Sequence, residues 1–380
     1  MKLDHQDRNI VLAFCLFMGF WTLLFTLIGS QVLETAEIEP RERLLPLNTD
    51  SQLWATQTPV QVGAYIENIY KFSPDDQTFN AEGRIWLNWP EAAQTLLLSN
   101  GLAPEKWLNW VNQLDGWDFK LEPTYPQPQR LQNGLYHQSF KFSGAFYAHN
   151  MDFRRYPFQK VDLPLTLELT ETLTQKGDHG LFLVPDEPAS GVGGFISLMG
   201  YKTTAFTITH RLHEYGSDFG ARTSPASAER VRLPQVDFLV SYQQSPNAAL
   251  LTLILPLTVV MALVLFSPSL SSSLWDVRLG IPPTALLTLI FLQQSYKEKL
   301  PNLPYATFLD LVYNVCYFVN LILFALFLWA SNRLHETTEQ SRPSVIARID
   351  ILDRYVQMGL VLLLVSMIAW HWFRLTGLTR

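Results

Sequence analysis

The chain has 380 residues, of which 16% are charged and 13% aromatic, and its formal net charge is −6. That balance offers phosphates no basic stripe and excludes nucleic acid as an expected partner. Both cysteines, Cys15 and Cys316, lie within apolar runs, so no disulfide staples the polar middle of the chain, which a packed core must hold instead.

From Ile10 to Leu33 no residue is charged, and Ile10–Ile28 is apolar enough to cross a bilayer as a helix. Lys2 and Arg8 precede it as in a signal peptide, but the core is long and no clear small-x-small cleavage site follows. Residues 1–29 are therefore expected to be an anchor or a signal helix. Residues 30–57, polar and containing Glu39-Pro40-Arg41-Glu42-Arg43, read as a linker.

Residues 58–245 show short alternating segments divided by turns. Val60–Tyr70, Thr78–Trp89, Leu135–Phe142, Leu163–Leu169, Leu181–Val184, Thr203–His210 and Val236–Gln243 fit strands, whereas Glu91–Leu102 and on to Val111 reads as helix or irregular chain. Many short strands without long helical patterns between them predict an all-β sandwich or barrel.

Lipid-compatible sequence returns over 246–376. Ala248–Phe266, Leu279–Leu292 with its polar end Gln293-Gln294-Ser295, Leu311–Asn332 and Tyr355–Phe373 predict four transmembrane helices. Arg333, Arg342, Arg348 and Arg354 crowd the loop before the last span, and Lys2 and Arg8 lie at the N-terminus. With four spans between them, both basic regions fall on one side, so the positive-inside rule predicts an extracytoplasmic β domain in a multi-pass protein of the cell membrane.

A β domain followed directly by four helices is the layout of the pentameric ligand-gated (Cys-loop) ion channels, and the local sequence resembles bacterial members of that family. Arg278–Asp310, RLGIPPTALLTLIFLQQSYKEKLPNLPYATFLD, is similar to the pore-lining helix and its link to the third helix; its Leu-Pro-x-Leu-Pro-Tyr-x-Thr-x-x-Asp ending, Leu300 to Asp310, is the most specific motif in the chain. Ser245-Pro246 leading to Leu255-Pro256 resembles the start of the first channel helix and its mid-helix proline. Val60–Trp89, with Gln77-Thr78-Phe79, Trp86 and Trp89, resembles the first two strands. Arg155-Tyr156-Pro157-Phe158-Gln159 resembles the tip of the loop for which the family is named. The likeness runs over roughly 58–375, with 100–135 and 175–230 matching in length alone.

The resemblance implies a homopentamer of a β-sandwich ligand-binding domain and a four-helix channel domain, with a small ligand, membrane lipid and permeant inorganic ions as partners and no cofactor or metal. It implies coupling through Tyr156, Pro157, Phe158, Gln159, Gln244, Leu303, Pro304 and Tyr305. It departs from the family at Gln159, where an Asp is usual, and at Gln244, where an Arg is usual; losing both charges together avoids a lone buried charge. It departs again at Pro282-Pro283. Proline is tolerated in a first turn and breaks a helix interior, so the pore helix is expected to begin near Pro282.

Gly280, Thr284, Leu287, Phe291, Gln294 and Glu298 recur at spacings of four and three and so share one helix face. By resemblance this face lines the pore, with Leu287 and Phe291 as apolar rings and Asp276 and Glu298 as carboxylate rings favouring cations. The same face also fits plain helix–helix packing. The family's aromatic ligand box points to Trp86, Tyr215 and Phe219; packing suits Trp86 equally well and Tyr215 and Phe219 better, and Trp89, of opposite parity to Trp86, is expected in the core.

Enzyme readings find no support: no His-Glu-x-x-His, Gly-x-Ser-x-Gly or glycine-rich phosphate loop occurs. His210 and His213, three apart on a predicted strand, do not converge, and Asp75-Asp76 and Asp186-Glu187 read as turn residues. Alternatives to a channel are a non-conducting receptor or assembly subunit on the same scaffold, and a five-span transporter, which lacks the intramembrane ionisable residues expected of one.

Overall fold

The computed structural model describes residues 42–47, 57–101, 103–114, 119–148, 151–170, 180–217 and 231–377. The expected N-terminal helix and Phe219 lie outside them. The chain divides into a β unit, Glu37–Asp152 with Lys160–Gln244, and a helical unit that includes Phe153–Gln159 and Ser245–Arg380.

The strands of the β unit are β1 (Arg43–Pro46), β2 (Thr58–Ser73), β3 (Thr78–Trp89), β4 (Leu108–Trp110), β5 (Lys120–Pro123), β6 (Gln129–Arg130), β7 (Tyr136–Tyr147), β8 (Lys160–Leu169), β9 (Leu181–Pro185), β10 (Gly191–Phe195), β11 (Tyr201–Glu214) and β12 (Arg232–Gln244). They form two sheets, one in the order β1-β11-β12-β8-β4, the other β10-β2-β3-β7-β5 with β6 added to β7 and β9 to β2. A helix, α1 (Glu91–Asn100), follows β3.

Period-two burial builds the core. On β3 the odd positions Phe79, Ala81, Ile85, Leu87 and Trp89 are sealed while Glu82, Arg84 and Trp86 face away. Val161, Leu163, Leu165 and Leu167 of β8 and Val236, Phe238, Val240 and Tyr242 of β12 do the same for the other sheet, and both sets enter one apolar cluster. On β2 the inward set runs Val60, Val62, Ala64, Ile66 and then Ile69; the register with β3 slips between Ile66 and Asn68, a bulge that reverses the parity.

Two differences from the sequence reading have clear causes. A strand, β1, lies in the stretch expected to be linker; all four of its residues are exposed, so no alternation announces it. The stretch running on to Val111 holds β4, a three-residue strand on β8 that is too short for periodicity to reveal.

The two sheets are stitched by a polar side chain. Asn112, buried just beyond β4, donates to the carbonyls of Tyr147 (2.7 Å) and Pro164 (2.8 Å) and accepts from the Thr166 amide (3.0 Å). It thereby joins β7 of one sheet to β8 of the other.

Among the described residues, the helical unit has four helices long and apolar enough to cross a membrane. The first, α2, spans Pro246–Ser269; α3 is Trp275–Lys297, α4 Phe308–His335 and α5 Arg342–Gly377. Pro256 sits within α2 without breaking it, because the preceding turn, Leu250–Ile254, is a π-turn that shifts the hydrogen-bond register. Helix α4 carries the longest buried face, from Phe308 to Leu334.

Because the buried Asn112 side chain serves three backbone groups, Asn112→Ala is expected to destabilise the β unit by about 3 kcal/mol. Chemical denaturation read by intrinsic fluorescence should show an earlier midpoint; an unchanged midpoint would mean that water replaces the amide without loss.

Candidate functional sites

The pore-face residues fall on α3, with Glu298 as its C-cap. Gly280, Thr284, Leu287, Phe291, Gln294 and Glu298 are all exposed in the single chain, Leu287 by 55% and Phe291 by 64%, whereas Arg278, Pro282, Leu289 and Tyr296 on the opposite side are buried. The helix is therefore two-faced, with one side packed and the other uncovered. The Thr284 hydroxyl donates to the Gly280 carbonyl at 2.9 Å, so its polarity is partly satisfied within the helix. Asp276 is exposed in the first turn of α3.

The expected start at Pro282 is overturned. Helix α3 begins at Trp275, and Pro282 and Pro283 lie inside it, leaving the carbonyls of Arg278 and Leu279 without the usual amide donors. Side-chain anchoring offsets that cost. Arg278, 1% exposed, pairs with the fully buried Asp353 of α5 and lies over the Phe327 ring of α4, 4.4 Å from its centroid. Just before α3, the Ser272 amide donates to Asp350 at 2.9 Å. Sequence reasoning missed this ion pair, although an arginine beside an apolar run and an aspartate just ahead of the last one were its signal.

At the other end of α3 a polar network surrounds Asp310. Its carboxylate accepts from the Tyr296 hydroxyl, from Gln293 (3.1 Å) and from the amide and hydroxyl of Thr307 (3.1 and 3.0 Å), and it pairs with Lys297 at 3.2 Å. Thr307 in turn accepts from the Asp310 amide, a capping box that starts α4. Gln293 also accepts from the Tyr317 hydroxyl at 2.6 Å.

The segment Phe153–Gln159 clusters with these helices. Tyr156, which precedes Pro157 through a cis peptide bond, stacks on Tyr296 with centroids 5.8 Å apart. The Phe153 amide donates to the Tyr305 hydroxyl at 3.1 Å, the Phe308 amide donates to the Arg154 carbonyl at 2.8 Å, and Phe158 meets Trp372 of α5 edge-on at 5.6 Å. Tyr156, Pro157 and Gln159 are buried; Leu303 is half-buried and Pro304 exposed. Of the coupling candidates, Tyr156, Phe158 and Tyr305 make these contacts, while Gln244 ends β12 opposite Tyr201 of β11.

In the β unit the ligand-box candidates fall on different sheets. Trp86 of β3 is half-buried, its indole donating to Asp186 at 2.9 Å. It lies across Gly63 of β2, where an added Cβ would stand 2.3 Å from the ring. Asp186, read as a turn residue, thus also fixes the indole. Tyr215 follows β11; its hydroxyl donates to Glu168 of β8 at 2.7 Å, and its ring lies 3.9 Å from that of His213. Glu168 is fully buried and also meets His213 Nδ1 at 2.6 Å. Burial alone would lower the His213 pKa, but the hydrogen bond and charge of Glu168, with the charge of Glu42, outweigh it and hold the imidazole above its ordinary value. His210 and His213 lie on opposite faces of β11, and among the described residues no cluster of three His, Cys, Asp or Glu could hold a metal ion.

No protein-family model matches the chain, and no curated protein matches it in sequence. What the described residues show is a two-sheet β unit followed by four helices with the length and apolarity of membrane spans.

The Arg278–Asp353 pair makes a sharp prediction. Asp353→Ala leaves a buried guanidinium without its counter-charge and is expected to cost about 3–5 kcal/mol, whereas Arg278→Met with Asp353→Leu should recover most of it. Thermal unfolding in detergent checks this; a double variant no more stable than the single one would show that the charges act independently.

Proposed function

We propose that the chain is a subunit of a pentameric ligand-gated ion channel, with the β unit as its extracytoplasmic ligand-binding part and α3 lining the pore. The observation that carries the reading is the two-faced α3. Its packed side is committed to α4 and α5 through Tyr296, Asp310, Arg278 and Asp353, while Gly280, Thr284, Leu287, Phe291, Gln294 and Glu298 are left uncovered. A face graded from small and hydroxyl residues through two large apolar ones to amide and carboxylate suits a water-filled axis better than lipid, and one helix cannot enclose an axis. Five copies would present the residues as stacked rings.

The continuous α3 supports conduction, since it carries Asp276 on the same helix as the remaining rings. The Phe153–Gln159 segment, packed on Tyr296, Tyr305 and Phe308, is the natural route by which ligand binding would reach the pore helix. The ligand contacts we assign are Trp86 and Tyr215, together with Phe219 by resemblance. Pro282-Pro283 inside α3 favours a second reading, a non-conducting receptor on the same scaffold, because a bent inner half narrows the axis.

Recording from purified protein in a planar bilayer, with native mass measured on the same sample, tests these readings. Five copies carrying cation current support the channel; five copies silent across ligands and pH leave the receptor; a stable monomer or dimer sinks both. In a conducting channel, Glu298→Lys is expected to lower cation conductance at low ionic strength and to matter less at high salt, because screening shortens the reach of the ring.

A further inference from the structure

We propose that His213 is a proton-operated clasp: its imidazolium, held between Glu168 and Glu42, locks β1 along the edge of β11, and loss of the proton releases the strand. The clasp lies wholly within the β unit and stands whether or not the chain conducts.

The geometry is that of a cation with two anions. His213 is 5% exposed and the Glu168 carboxylate is sealed from solvent. Nδ1 meets one oxygen of Glu168 at 2.6 Å while Tyr215 donates to the other at 2.7 Å. On the far side of the ring, Nε2 faces Glu42 at 3.4 Å. Glu42 immediately precedes β1, which pairs with β11 from Arg43 opposite Glu214 to Pro46 opposite Arg211. All four β1 residues are exposed, so the strand contributes little burial and depends on its ladder and this ion pair.

Among the described residues, the other charges nearby do not supply a substitute. Glu214 points to the opposite face of β11 and is taken by Arg232 of β12 at 2.8 Å; Arg43 stands opposite Glu214. Arg211, two residues back on the face of His213, is exposed. Asp237 of β12 accepts from Thr209 (3.0 Å) and Gln235 (2.8 Å).

When His213 is neutral, Nδ1–H still donates to Glu168, but Nε2 presents a lone pair to the Glu42 carboxylate, and Glu168 loses its buried counter-charge. With the folded pKa raised, the stabilisation is complete below the ordinary histidine value, about 6.5, and drains away as pH rises through the folded value. Acid therefore closes the clasp and alkali opens it.

Amide hydrogen exchange on the full chain in lipid nanodiscs, corrected for intrinsic rates, tests this from about pH 5.5 to 8.5. Protection of residues 43–45 and 211–214 is expected to fall severalfold across that range while the β2–β3 ladder stays constant. His213→Gln keeps a donor for Glu168 without a titrating proton and should abolish the step. Glu42→Gln, a change at an exposed position that leaves the fold undisturbed, should weaken low-pH protection and move the midpoint down. A flat wild-type profile, or a step that survives unchanged in both variants, overturns the proposal.

Discussion

The helical unit is organised around one carboxylate. Asp310 closes the first turn of α4, receives Tyr296 and Gln293 from α3 and pairs with Lys297, so the end of one helix and the start of the next are fixed at a single point. A charge held in a buried site must be fully served by donors, and here every donor comes from an element whose position matters. Tyr296 passes the constraint on, because its ring is the surface on which Tyr156 stacks. The placement of the Phe153–Gln159 segment and the angle of α3 are thereby set together.

At its other end α3 is held by a different device. Two prolines deprive it of backbone hydrogen bonds, and a buried arginine–aspartate pair with a cation–π contact holds that half-helix against α4 and α5. An ion pair so enclosed contributes specificity more surely than stability, since desolvation offsets much of the attraction. Clamped at both ends on one side, the helix has only its other side to offer to water, to lipid or to further copies of the chain, and that side carries hydroxyl, amide and carboxylate groups along with its apolar residues.

The β unit follows the same economy of polar groups. Its inward faces are apolar by alternation, and several of its polar side chains are tied to specific partners: Asn112 bridging the sheets, Asp186 fixing Trp86, Glu168 gathering His213 and Tyr215. The first is structural, being saturated by backbone. The last is chemically different, because one of its members is a histidine whose pKa is held above its ordinary value and one of its partners, Glu42, borders a wholly exposed strand.

Period and run length were enough to determine the division into an alternating β region and four long apolar helices, because side-chain parity and bilayer thickness impose themselves on local sequence. The sharing of one α3 face by Gly280 through Glu298, and the assignment of Trp89 to the core, were likewise legible, since helical and strand periodicity need no knowledge of neighbours. The start of α3 was not. Local rules place two prolines in a first turn, and only Asp353, 75 residues away, makes the longer helix worthwhile. Nor could β1 or β4 be read, one wholly exposed and the other three residues long. Tertiary structure alone brought Glu168, His213 and Glu42 together and surrounded Asp310 with its donors, for a reason common to both: whether a buried charge is tolerable depends on partners distant in sequence, and no local pattern records which distant residue will supply them.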